Sequence, residues 1–147
     1  MTAELFNHYE IGTWTPQLKG GGGAIGQSGE TGHYTRIGNF VYCIFGINVN
    51  NLNSQTGALE IHDLPFVSVN VTQGSGEPSF GGLTFANNLS STDLGGGVIL
   101  RINNGTDHIE CKYTPGGSQS AIGGATWNAS NISASTYMTG SFSYTTS

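Results

Sequence analysis

From Gly12 to Tyr144, short segments of alternating apolar and polar residues are repeatedly cut off by glycine, asparagine or proline, and no stretch beyond the first dozen residues carries a helical period. Period-two patterning followed by turn chemistry is the signature of strands joined by tight connections. Composition agrees: Gly, Asn, Ser and Thr fill 68 of 147 positions, glycine alone 24. These residues serve turns well and helices poorly. The expected fold is all-β, an antiparallel β-sandwich or jelly roll. α/β folds with cofactor crevices, which need helices between the strands, are not expected. The length suits one domain, large enough to hold a core without metal or disulfide staples. Charged residues are only 9% and hydrophobic ones 36%, whereas a disordered chain combines low hydrophobicity with high charge.

Individual segments sharpen this. Gly12 to Leu18 alternates, with Trp14 and Leu18 on one face. Pro16 has no N–H for a ladder, so the segment is an edge strand or ends in a kink. Gly20 to Gly23 reads as a flexible loop. His33–Ile37 and Phe40–Val49 form a hairpin around Gly38-Asn39, a pair suited to a primed turn. The second of these strands is long and apolar on both faces near its middle, which predicts the central core strand. Gly46 within it marks a bulge or a close backbone approach. Further strands are expected at 58–62, 67–71, 78–85, 98–102, 108–113, 125–127 and 137–144. Residues 1–11 are set apart as an arm and 12–147 as the sandwich domain.

The net charge is −5, and Lys19, Arg36, Arg101 and Lys112 are scattered singly. Neither a phosphate-tracking nucleic-acid face nor a polybasic membrane anchor can be built from them. No apolar run reaches the ~20 residues of a membrane span. The stretch Met1–Phe6 has neither the basic region nor the apolar core of a signal peptide, which predicts a chain made and kept in a cytoplasm until assembly. In that compartment Cys43 and Cys111, both inside apolar strands, are expected as buried free thiols.

No catalytic constellation emerges. The glycine-rich runs lack the Lys-Ser/Thr ending and following helix of a phosphate loop, and no Gly-x-Ser-x-Gly elbow is present. The pairs His62-Asp63 and Asp107-His108 place neighbours on opposite strand faces, so turn capping is the expected role of both aspartates. The four histidines have no zinc-site spacing. No cofactor, metal or catalytic residue is expected. Aromatic rings on a surface could stack on a sugar, and Trp127, Tyr113 and Tyr137 are the candidates for such a platform.

Three ordered motifs resemble a β-sandwich domain of bacteriophage surface proteins: Tyr9 to Pro16 with its Gly-Thr-Trp-Thr-Pro, Gly32 to Tyr42 with its Tyr-Thr-Arg-Ile-Gly-Asn, and Thr56 to Phe66 ending in Leu-Pro-Phe. The resemblance implies structural roles for its motif residues Trp14, Pro16, Tyr34, Gly38, Asn39, Pro65 and Phe66: Trp14 as core anchor, Gly38-Asn39 as the turn and Pro65-Phe66 as a corner. It further implies a non-enzymatic virion protein, homotrimeric, on a capsid surface or at a tail-fibre tip. With so little chain before the first motif, the expectation is a capsid-decorating protein held by residues 1–11 and partnered by the major capsid protein or other virion proteins. A tail-fibre tip or lectin-like module binding host surface polysaccharide is the alternative.

Overall fold

The computed structural model describes residues 8–70, 80–90, 97–115 and 124–147. Among them are eleven strands: β1 Tyr9–Trp14, β2 Gln17–Gly20, β3 Gly23–Ala24, β4 Gly26–Ile37, β5 Phe40–Asn51, β6 Leu59–His62, β7 Phe80–Leu89, β8 Val98–Ile102, β9 Ile109–Tyr113, β10 Ala125–Thr126 and β11 Ile132–Thr145. One 3₁₀ turn, Ala129–Asn131, precedes β11. No helix among the described residues is long and apolar enough to cross a membrane.

All strand pairs are antiparallel and belong to one sheet in the order β1-β4-β5-β11-β7-β8-β9-β6-β2-β3, with β10 alongside the end of β9. The all-β antiparallel expectation holds. The hydrogen bonds make it a single sheet, and the chain itself folds that sheet over. β1 is the first strand in the order and β2 the ninth, yet only Thr15-Pro16 separates them in sequence. The two ends of the sheet must therefore meet. The side chain of Gln27 in β4 fastens them, its Nε2 donating to the Pro16 carbonyl (2.5 Å) and its Oε1 accepting from the Leu18 N–H (2.7 Å). Pro16 is thus the kink that its ring dictates.

One core results. Val41, Cys43, Phe45, Ile47 and Val49 of β5 meet Met138, Phe142 and Tyr144 of β11, and the cluster continues through Leu100, Ile102, Ile109 and Cys111 to Leu59, Ile61 and Leu18. Trp14 closes it, its ring edge-on to Phe142 (5.9 Å) and Phe45 (6.5 Å).

The first two motifs owe their spacing to one device. β1 and β4 pair Gly12 with Tyr34 and Trp14 with Gly32, so each ring lies over the glycine opposite. A Cβ on Gly32 would come within 2.5 Å of the Trp14 indole, and one on Gly12 within 2.6 Å of the Tyr34 ring. Tyr34 also donates to Glu10 and packs edge-on against Phe66, over whose ring Arg36 sits at 4.6 Å. The Pro65-Phe66 corner is pinned from the core: the Tyr144 hydroxyl donates to the Phe66 carbonyl (2.9 Å) and accepts from its N–H (3.2 Å).

At the β4–β5 turn only Gly38 has positive φ (59°), the pattern of a type II′ hairpin. Several expectations change: the strand expected at 67–71 is, in its described residues, only the isolated bridge of Ser68 with Thr146, and β4 begins at Gly26, ahead of His33. Gly20 to Gly23 is a tight hairpin, with Gly21 and Gly22 both at positive φ, because two adjacent residues free of Cβ are what a type I′ turn needs. Tyr9 to Ile11, set apart with the arm, are the first half of β1, paired with Ile37 to Thr35; residues 1–7 lie outside the described residues. β11 begins at Ile132, five residues before the expected Tyr137, through a stretch with register shifts against β7 that blur its alternation.

Cys43 and Cys111 are free and buried, as expected. Burial pushes both thiols from an ordinary 9.0 up to about 12, since a thiolate in the core would be desolvated. In the unfolded chain they ionise near the ordinary value, so their contribution to stability is complete below about pH 9 and is lost as the pH rises toward 12. Urea titrations from pH 7 to 11 should show stability falling above pH 9, and a Cys43→Val/Cys111→Val double variant should fall less steeply. Neither thiol should react with a disulfide reagent until the chain is unfolded.

Candidate assembly surface

β5 is central, between β4 and β11, but only one of its faces is covered. Phe40, Tyr42 and Ile44 point away from the core and are 48%, 45% and 44% exposed. The pairings extend this face sideways. Ile37, Thr35, His33 and Thr31 of β4 lie opposite Phe40, Tyr42, Ile44 and Gly46, and Tyr9 and Ile11 of β1 lie opposite Ile37 and Thr35. On the other flank are Thr145, Ser143, Ser141 and Thr139 of β11, then Phe85 of β7. Tyr9, Ile11 and Phe85 are each more than half exposed.

Among the described residues named on this face there is no Asp, Glu, Lys or Arg. Glu10 of β1 and Arg36 of β4 have the opposite strand parity and turn toward Tyr34 and Phe66. Surface strands of soluble domains carry polar and charged residues on the solvent side. A contiguous apolar patch without charge is the mark of a surface that another molecule covers. Among the described strands β1 is also an end strand, and an unpaired strand edge invites another chain.

A groove of about 350 Å³ runs across the same face, lined by Thr31, His33, Tyr42, Ile44, Thr84, Tyr137, Thr139 and Ser141. Gly46 forms part of its lining because it carries no side chain to fill it. The expected close approach at Gly46 is met: a Cβ there would lie 3.2 Å from the Thr31 hydroxyl and 3.7 Å from that of Tyr137. The Thr84 hydroxyl donates to the Thr139 carbonyl (3.2 Å), and Tyr137 packs against Phe85 at 6.2 Å between centroids.

No protein-family model and no curated protein matches this sequence. Among solved structures, the crystal structure of the Dettilon tailspike protein superposes with a TM-score of 0.72 at 22% identity. This chain shares its fold with part of a tailspike. The match takes in 93% of this chain and 24% of the tailspike chain, so the chain spans about a quarter of that protein's length.

The three rings picked out for sugar stacking end in three different places. Trp127 is fully buried and unavailable to any ligand, because its short segment is held inside by the bonds from Leu59 N–H to its carbonyl (2.8 Å) and from its N–H to the Cys111 carbonyl (3.0 Å). Tyr113 is half-buried against the core. Tyr137 alone reaches the groove. Sequence reasoning missed Ile11, Ile37, Phe40, Tyr42, Ile44 and Phe85 as surface residues, although the two-faced apolar pattern of β5 was the signal that could have found them. Trp127→Ala should lower folding stability by about 3–5 kcal/mol, the usual cost of truncating a buried Trp, as read by urea denaturation. A loss under 1 kcal/mol would mean that Trp127 is not in the core.

Proposed function

We propose that this chain is a non-enzymatic structural domain of a bacteriophage virion, exposed on the particle and assembled as a homotrimer through the outer face of β1, β4, β5, β11 and β7. The observation that carries this reading is the uncharged face bearing Ile11, Phe40, Tyr42, Ile44 and Phe85 at the surface of a domain that already has a complete core. Identical subunits meeting there bury apolar area without bringing like charges together. The protruding rings and the groove provide the unlike parts that a rotationally closed, head-to-tail interface requires. The tailspike fold supports a tail location over decoration of the capsid, and residues 9–11 then serve the sheet instead of an anchor.

A second reading has its own support. The groove presents the Tyr42 and Tyr137 rings beside the hydroxyls of Thr31, Thr84, Thr139 and Ser141, a combination that suits a host surface polysaccharide. Saturable binding of host glycan, lost in Tyr137→Ala, would support it.

Association of folded subunits makes thermal stability depend on concentration. The midpoint of the unmodified chain should rise by several degrees between micromolar and hundred-micromolar protein, and Ile44→Asp should remove that dependence while the chain still folds. A midpoint independent of concentration in both would contradict the assembly role.

A further inference from the structure

Neither of the two neighbouring His–Asp pairs in the sequence is a site by itself, but the register of β6 and β9 makes a different grouping. Ile61 pairs with Ile109, so His62 and His108 face each other one step beyond, at the end of β6 and the entry to β9. Their rings stack at 4.7 Å with 15° between planes. The Asp107 carboxylate joins them, and ligand atoms of all three residues lie within 4.8 Å of one another. We propose that His62, His108 and Asp107 form a binding site for a divalent transition-metal ion of the zinc class, which ties the 103–108 turn to the end of β6.

Two imidazoles and one carboxylate are a donor set for zinc and its neighbours, whereas calcium and magnesium take oxygen ligands. The surroundings hold the donors in place. Glu60 Oε2 lies 2.9 Å from His62 Nε2; a carboxylate accepts only from a protonated nitrogen, so in the neutral ring Nδ1 is left with the lone pair able to ligate. Carboxylates behind ligating histidines orient the ring and raise its basicity in this way. The His108 side is fixed through its loop: the Leu64 N–H donates to the Asp107 carbonyl (3.0 Å), the Ser68 N–H to that of Thr106 (2.9 Å), and the Thr106 hydroxyl to that of Asn103 (2.8 Å). The stacked rings need only tilt for their in-plane lone pairs to converge on one ion. The Asp107 side chain is 61% exposed, so an ion can enter from solvent, and three protein ligands leave a position for water. The site lies on β6 and β9, away from the five strands of the proposed interface, and it stands or fails independently of that interface.

Isothermal titration of the full chain, stripped with EDTA, with zinc chloride tests this. One ion per chain is expected. At zinc about a hundredfold above Kd, the thermal midpoint should rise by roughly 8 °C. The His62→Gln/His108→Gln double variant should lose at least tenfold in affinity, as should Asp107→Asn, whose exposed position makes misfolding a poor explanation. Cobalt substituted for zinc should give the visible absorption of a nitrogen- and oxygen-ligated ion in the unmodified chain. Failure of the unmodified chain to take up zinc overturns the proposal. So does uptake that is unchanged in the double variant, which would place the ion elsewhere on the chain.

Discussion

The Thr15-Pro16 link governs this structure. It joins the first strand of the sheet to the ninth in two residues, and a sheet whose ends are so joined has to fold over. An inside and an outside follow. Trp14 sits immediately before the link and fills the inside, and Gly32 is a glycine because that indole occupies the space of its Cβ. The Gln27 side chain then satisfies the backbone on both sides of the kink. Removing the link's geometry would open the core along its length.

Folding over settles the inner face but leaves the outer one to its sequence. On β8, β9 and β6 the outer positions carry Arg101, Glu110, Lys112, Glu60 and His62, the ordinary solvent side of an antiparallel sheet. On β1, β4 and β5 they carry tyrosine, isoleucine, phenylalanine and threonine. One sheet thus has two kinds of exterior. Solvation accounts for the first, and the proposed association with other copies would account for the second, because exposed apolar area is removed from water only by a partner.

Local chemistry was readable in the sequence wherever it decides the outcome. Residue type and spacing pointed to the Gly38-Asn39 turn, the Pro16 kink and the buried thiols; the resemblance pointed to Trp14, which lies in the core, and to Pro65-Phe66. Long-range pairing was not readable in this way. The apolar alternation of β5 was visible, but whether its second face meets a layer of the same chain depends on the order of strands far apart in sequence. Trp127 looked available because its segment is short and weakly patterned, and only the bonds to Leu59 and Cys111 put it inside. The grouping of His62 with His108 depends on the β6–β9 register, which is fixed by Ile61 and Ile109 on the core side and leaves no trace in the spacing of histidines.

The native mass of the unmodified chain in solution, measured by light scattering, tests the assembly account most directly. A mass of about 46 kDa, three times the 15.3 kDa of the chain, is the result it predicts. A stable 15.3 kDa monomer at high concentration, with the face of Phe40, Tyr42 and Ile44 open to water, would contradict it.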